Sequence, residues 1–467
     1  MHHLQTRWKI EGKHLYYYGM RKKPNLLKNN IRVSKKEKLL LPQLPKSLNE
    51  KQIKELNRLI NQHIVVEDSD LRMIPKRIED AVFCSLCAAN DFMIPGLELN
   101  DFGVCPMCSS KEETKDLKSV LTVLNIIPKS THSRFDVALF YTGGKDSSYL
   151  LYYLSKVLKL NVLALTWEIP YMSNSARVSI ENAKKNLKNV EFINRKMADE
   201  DLLKVYRRLY QLERNTCACP SLAYVLFYPE MVNENIPYFV LGNEPVQMLN
   251  LYFNHLAPKA AYLQKNHKLL TLFINIGRVT TFRKILRSGQ FESLMTMKQL
   301  AYGDSIFKRM TGYQNDLVSH VSSALKKVPR LLSPLKKAIR KSNWSGNIPA
   351  FVHMDFNDIA GGNYQWDQVK DLIIKEVGWV APAQTGKGLH TSCNIEKCKE
   401  YTQFMNFYEM RSKMIPFSAI EISLASGKGH LSREQAVIEL KSHMGFSLEE
   451  VDECSIMKNY LSMLKKD

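Results

Sequence analysis

One continuous stretch, residues 137–148, constrains this chain more than any other. The run Val137–Tyr141 (VALFY) is apolar and uncharged, and Thr142-Gly143-Gly144-Lys145-Asp146-Ser147-Ser148 follows it directly. Beyond the turn, Leu150, Leu151, Leu154, Val157 and Leu158 recur at helical spacing on one face. An uncharged strand that passes through a glycine turn into an amphipathic helix opens a βαβ unit, and its strand must be covered on both faces. The fold it demands is α/β with a parallel sheet. Val162–Trp167 (VLALTW) supplies a second buried strand, and Val190–Ile193 and Tyr238–Leu241 supply weaker third and fourth ones, with helical segments before each. Right-handed crossovers put the turn after the first strand at the carboxyl edge of the sheet, where open α/β sheets bind ligands.

The turn carries its own chemistry. Two glycines let the backbone fold tightly and present N–H groups to an anion. The helix that starts near Asp146 adds the positive end of its dipole. Thr142, Lys145, Ser147 and Ser148 add side-chain donors. Together they form a phosphate cradle, with a spacing that differs from the Walker A pattern G-x-x-x-x-G-K-[ST].

Cysteine usage points to metal. The nine cysteines are Cys84, Cys87, Cys105, Cys108, Cys217, Cys219, Cys393, Cys398 and Cys454. Their odd number and paired spacing favour a reducing compartment over a disulfide framework. Cys84-x2-Cys87 and Cys105-x2-Cys108 form two knuckles separated by 17 residues, the spacing of a zinc ribbon. Four thiolates fill a tetrahedral shell and leave no open position for water, so the expected role is structural. Iron in the same cage is the alternative.

Length and composition set the frame. A chain of 467 residues is expected to hold about three domain-sized units. The pattern reads as a basic N-terminal extension without a clear core over residues 1–75, a zinc-ribbon segment over 76–130, the parallel-sheet domain over 131–260 and a mostly helical region over 261–467. In the first of these, Ile53, Leu56, Leu59, Ile60 and Ile64 share a helical face; in the last, residues 346–365 read as loops. A hydrophobic share of 45% and a charged share of 24% exclude a disordered chain, a collagen and a coiled-coil rod. No apolar run reaches the length of a membrane span, and the N-terminus has no apolar signal core, so the expected location is the cytoplasm. The formal charge of +20 suits polyanions, namely nucleic acid such as RNA, nucleotide phosphates or an anionic membrane surface, although scattered lysines on solvated surfaces give the same total. The densest basic run is Leu325–Lys341.

The turn T-G-G-K-D-S resembles the S-G-G-x-D-S signature of the PP-loop, or N-type, ATP pyrophosphatases, with Thr142 keeping the hydroxyl of the usual Ser. The resemblance implies an adenine nucleotide alpha hydrolase-like domain that uses ATP and Mg2+. Such enzymes adenylate a substrate oxygen, release pyrophosphate, and let a nitrogen or sulfur nucleophile displace AMP. It implies that Tyr141, Thr142, Gly143, Gly144, Lys145, Asp146, Ser147 and Ser148 grip the phosphates. Thr166 and Trp167 would contact adenine, with Gly242 and Asn243 closing the far side. Further along, Asp101-Phe102-Gly103 before the second knuckle, Glu181-Asn182, Gly378-Trp379, residues 386–393 (GKGLHTSC) and 431–436 (LSREQA) follow in an order similar to the N-acetyl sugar amidotransferases. That likeness implies ammonia from a separate glutaminase subunit, since no cysteine lies near the N-terminus. A second resemblance, to PP-loop tRNA thiolation enzymes, implies sulfur transfer instead, with RNA or a sulfur carrier as partner. A third possibility is a nucleotide-regulated binding module.

The later cysteines divide between these readings. Cys217, Cys219, Cys393 and Cys398 would form a second metal site with His390 as a spare ligand, or three of them would hold a [4Fe–4S] cluster as in thiolation enzymes, or one would carry persulfide sulfur. Ordinary buried cysteines are the remaining alternative, and Cys454 reads as structural. Candidate catalytic residues are therefore Lys145, Asp146, Cys217 and Cys393. Lys387 and His390 read as loop residues able to cover a phosphate or carry a proton. Ser432 reads as a helix N-cap, with Gln435 at the capping-box position.

Overall fold

The computed structural model describes residues 1–22, 29–110, 123–213, 218–242, 244–254, 264–304, 315–383, 392–443 and 448–463. The chain divides into two compact units, Met1–Lys111 with Glu400–Glu450, and Glu112–Lys399 with Val451–Asp467.

The first unit opens with short antiparallel strands. β1 (His2–Leu4) pairs with β5 (Val65–Glu67), while β2 (Trp8–Glu11), β3 (His14–Tyr17) and β4 (Asn30–Arg32) form a meander. Gly12, at φ +62, turns β2 into β3 and sets Trp8 opposite Tyr17. Helices Lys35–Leu40 and Glu50–Ile60 each start with a complete capping box, on Ser34 and Asn49. Residues 1–75, where no core pattern was expected, thus enclose one of their own. Trp8, Leu15, Tyr17, Val33, Leu41, Leu56, Leu59, Ile64 and Val65 are buried together. Strands of three or four residues are too short for alternation to stand out in the sequence. Within the predicted helical face, Leu56 and Leu59 are buried as expected, but Ile53 is exposed. The unit is completed by helices Phe417–Gly427 and Arg433–Ile438, the latter capped by Ser432 with Gln435 as predicted.

The second unit is the α/β domain. β6 (Val137–Phe140), β7 (Val162–Trp167), β8 (Val190–Arg195), β9 (Tyr238–Val240) and β10 (Ala350–Val352) form one parallel sheet in the order β10-β9-β6-β7-β8. Every residue of β6 and β7 is buried, as a sheet covered on both faces requires. Helices Lys145–Tyr152, Asn174–Asn186, Asp199–Glu213 and Cys219–Asn233 connect the first four strands. Further helices fill the path from β9 to β10, among them Gln264–Thr280, Gln290–Tyr302 and Pro329–Ser345.

Two expectations change here. The helix after the glycine turn passes into a π-turn over Tyr153–Val157, which rotates Val157 out of the apolar face and leaves it exposed. The stretch 346–365, read as loops, contains β10 and the short helix Phe356–Ile359. β10 adds to the sheet because Ala350, Phe351 and Val352 pair in register with Tyr238, Phe239 and Val240. Among the described residues, no helix is long and apolar enough to cross a membrane.

Candidate active site and metal centre

The candidate metal centre, the four knuckle cysteines, lies in the first unit. The Sγ atoms of Cys84, Cys87, Cys105 and Cys108 all fall within 4.8 Å of one another. Cys87 and Cys105 are 3.7 Å apart, close to the S···S edge of about 3.8 Å that a tetrahedron with ~2.3 Å Zn–S bonds would have. Main-chain N–H groups of Leu86 and Cys105 donate to Cys84 Sγ at 3.4 and 3.3 Å, and that of Ala89 donates to Cys87 Sγ at 3.4 Å. Donors aimed at sulfur favour thiolates. Hydrogen bonding from Cys105, Cys108 and Cys87 lowers the Cys84 thiol, whereas Cys105 raises Cys87, and Cys108 raises Cys105. Four packed thiols cannot all ionise without a cation among them. The donor set therefore fits a single tetrahedral ion such as Zn2+, and with four protein ligands the site would be closed. The Arg433 guanidinium donates to Cys84 O at 3.1 and 3.0 Å, and a Cβ on Gly427 would meet Cys108 Sγ at 3.4 Å. The knuckles thus pack tightly on the last two helices of the unit.

The glycine turn lies in the second unit, at the carboxyl end of the central strand β6. Sequence order runs from β6 to β7 and β8 on one side, then returns to β9 and β10 on the other. The crevice between β6 and β9 is therefore the topological switch point, the usual ligand position of such sheets. Two glycines set its shape. Gly143 adopts φ +72, and a Cβ there would lie 2.4 Å from Ala176 O. Gly242, after β9, approaches so closely that a Cβ would meet Ser147 N at 3.0 Å. Thr142 is exposed and residues 143–148 are buried. Ser147 Oγ lies 3.3 Å from Thr142 N and from Thr142 Oγ1. Gly144 is the N-cap of the helix Lys145–Tyr152, and no side chain caps that end.

Lys145 is completely buried, and its ammonium meets protein partners. Nζ lies 2.9 Å from Glu244 Oε2, 2.9 Å from Asp146 Oδ1 and 3.1 Å from Tyr364 OH, with the Trp366 ring centroid 4.5 Å away. Tyr364 OH and Trp366 Nε1 also donate to Glu244 Oε2, at 3.0 and 2.7 Å. Gln247 Nε2 donates to Asp146 Oδ2 at 3.3 Å. Burial works against the charge on Lys145, but Asp146 and Glu244 outweigh it and hold the ammonium above the ordinary lysine range. Burial, then Glu244 and Asp146, push the Tyr364 phenol well above its usual value. One ammonium facing two carboxylates leaves an excess negative charge, and Glu244 Oε1 is buried without a hydrogen-bond partner. Lys145, expected as a phosphate donor, is thus turned toward Glu244. Tyr364 and Trp366 were not anticipated. The signal available was an aromatic pair two residues apart, just after Gly361 and Gly362, both at positive φ.

Other expected residues spread along the same edge. Tyr141 is buried, its phenol pushed up to about 12 by desolvation, with Ser148 Oγ 3.3 Å away. Thr166 spends its hydroxyl on Tyr141 O at 2.9 Å, whereas Trp167 Nε1 is buried without an acceptor. Asn182 donates to Gly378 O at 2.8 Å, so two separate motifs meet in a packing contact. Asn243 lies outside the described residues.

Cys219 begins the helix Cys219–Asn233, and Cys393 bridges to Met172 in the segment after β7. Cys219 and Cys393 line one small hollow together with Ile169, Tyr171, Tyr206 and Ile395. Cys398 is buried, and its carbonyl accepts from Cys454 Sγ at 3.6 Å. Cys217, Lys387 and His390 lie outside the described residues. Among the described residues, the knuckle cysteines are the one group of three or more ligating side chains within reach of a common ion. No family model matches the chain, and no curated protein matches it.

Proposed function

We propose that this chain is an ATP pyrophosphatase of the PP-loop type that adenylates a substrate oxygen and replaces it with nitrogen. The observation that carries the reading is the uncapped helix start behind the Gly143–Gly144 turn, at the switch point of a parallel sheet. Such a helix end, with glycine-borne N–H groups, suits the tail of a nucleoside triphosphate. Thr142 and Ser147 supply hydroxyl donors beside it. Trp167 Nε1, buried at the end of β7, is a donor that lacks an acceptor where the resemblance puts adenine.

In this reading the acceptor oxygen attacks the α-phosphorus, the α–β bond breaks and pyrophosphate leaves. Ammonia, delivered by a separate glutaminase, then adds to the activated carbon and loses a proton, and AMP departs with the oxygen. Asp146 and Glu244 are the carboxylates nearest to hand for Mg2+, which would spread the charge of the departing pyrophosphate. Lys145 holds these carboxylates in place as a positioning residue. Zn2+ at the knuckles is structural.

ATP–pyrophosphate exchange, with product analysis, tests the reading. AMP and pyrophosphate are the expected products, and Asp146→Asn should lower turnover by about 100-fold or more. ADP and phosphate as products would overturn it. Sulfur transfer is the second reading, favoured by Cys219 and Cys393 sharing one hollow at the sheet edge. It requires iron with labile sulfide, or a persulfide on one of these thiols, in anaerobically purified protein. Nucleotide binding without turnover would leave a binding module.

A further inference from the structure

Surface helices of globular proteins bury an apolar side and show a polar one. The helix Gln264–Thr280, over the residues whose side chains are described, shows an apolar side to solvent. Leu269, Leu272, Phe273, Ile276 and Val279 are all exposed, Phe273 by 61%. At 100° per residue they share an arc of about 120° along the helix. The inward side carries half-buried Leu270 and Ile274 and is tied down by polar groups. Arg278 is buried and donates to Lys284 O at 2.6 Å and to Asn343 O at 3.1 Å. Asn275 exchanges two hydrogen bonds with the main chain of Leu286, at 3.1 and 2.8 Å.

Exposed apolar side chains follow in the segment beyond the helix. Phe282 is 99% exposed and sits at φ +56, a backbone region bulky side chains rarely adopt. Ile285 is exposed, and so is Trp344 (70%), whose ring lies 5.6 Å from the Arg283 guanidinium. An exposed apolar surface on this scale marks an interaction site. Its surroundings are cationic. From Pro245 to Phe291 the chain has seven Lys and Arg and no Asp or Glu, and from Leu317 to Met354 it again has seven and none. Lys284, Arg287, Arg340 and Lys341 are exposed.

We infer that this face lies on an anionic lipid bilayer. Phe273, Ile276, Phe282 and Trp344 enter the boundary between headgroups and acyl chains, and Lys284, Arg287 and Arg340 meet lipid phosphates. A bilayer accepts apolar side chains and cations side by side without a shaped complement. RNA would account for the cations but not for the apolar arc. A second copy of the chain would bring one cationic rim against another. The inference is independent of the ATP reading.

Flotation of the full chain with vesicles tests it. Vesicles of phosphatidylcholine with about one-third phosphatidylglycerol should bind at least roughly tenfold more protein than pure phosphatidylcholine, with the difference falling as salt rises. Phe282→Ser changes a side chain outside any core and should weaken binding several-fold. Lys284→Glu with Arg287→Glu should abolish the preference for anionic lipid. Protein that stays in the aqueous fraction with anionic vesicles would overturn the inference, and so would binding that Phe282→Ser leaves unchanged. Two further results would overturn it by naming another occupant: a solution dimer that Phe273→Ser dissociates, or RNA binding by these cations in a chain that ignores vesicles.

Discussion

The thiol cluster of the first unit and the lysine cage of the second both bury charge, and they settle it differently. The four cysteines come from one short stretch, the sulfurs of Cys84 and Cys87 receive main-chain donors, and all four lie around one centre. The cage draws Lys145, Glu244, Tyr364 and Trp366 from distant parts of the chain and sets one ammonium and its hydrogen-bond donors against two carboxylates, which leaves one negative charge in excess. A closed shell suits a centre that only holds a segment together. A shell with the Glu244 Oε1 atom still unpaired, beside an uncapped helix end, is what the proposed nucleotide site would need. The contrast predicts that losing the first centre unfolds its surroundings outright, whereas breaking the second leaves buried charge unpaired and costs a bounded amount of stability.

Metal removal should do the most damage. Bound metal supplies folding free energy directly, on the order of 10 kcal/mol in small zinc domains. A strong chelator, or Cys84→Ser with Cys105→Ser, should abolish protease protection across the first unit while the parallel sheet of the second keeps its protection. Limited proteolysis with mass spectrometry reads both units at once. Loss of protection in both would remove the proposed division of labour.

Next comes the cage. Lys145→Met leaves Glu244 and Asp146 buried without their cation, a change that costs about 3–5 kcal/mol. Adding Glu244→Gln should return part of that loss in denaturant unfolding, because one buried charge disappears with its partner. The pH dependence has a definite sign. Lys145 is raised in the folded state, so its contribution is complete below the ordinary lysine range and is lost as pH climbs through its folded value. Wild-type protein should therefore lose stability at alkaline pH more steeply than Lys145→Met. Parallel curves would mean that the cage does not hold a charged lysine.

Two glycines sharpen the comparison further. Gly103 in the second knuckle and Gly143 in the turn both sit at φ +72. A Cβ on Gly103 would find its nearest neighbour at 3.8 Å, whereas one on Gly143 would press on Ala176 O at 2.4 Å. Gly103→Ala should thus cost only the backbone strain, about 1–2 kcal/mol. Gly143→Ala should cost clearly more, about 3 kcal/mol or above, because a main-chain carbonyl cannot step aside. Equal losses in thermal unfolding would mean that the turn yields.

What the sequence made legible follows from how far apart the partners lie. The knuckles and the strand–turn–helix are local patterns, and both form where their spacing put them. Ser432 and Gln435 form their capping box for the same reason. The aromatic partners of Lys145 were not legible, since nothing local joins Tyr364 and Trp366 to a turn more than two hundred residues earlier. Val157 shows a second limit: periodicity assumed an unbroken α-helix, and one π-turn changed its phase. The helix Gln264–Thr280 shows a third, because a hydrophobic stripe identifies a face and says nothing of whether that face is covered.

The smallest effect on stability separates folding from binding most cleanly. Helix starts in the first unit at Ser34, Asn49 and Ser432 carry complete capping boxes, while the helix behind the glycine turn starts at Gly144 with no side-chain cap. Gly144 has φ −80 and ψ 166, an ordinary N-cap conformation that does not itself demand glycine. Gly144→Asp supplies the missing acceptor and should change stability by only a few tenths of a kcal/mol. The same carboxylate would occupy the anion position and repel a phosphate chain. ATP affinity by calorimetry should fall by about tenfold or more, with the melting temperature of the free protein nearly unchanged. Ser432→Ala is the counterpart: it should cost about 1 kcal/mol and leave ATP affinity alone. If Gly144→Asp bound ATP as well as wild type, this helix end would be uncapped for some reason other than an anion.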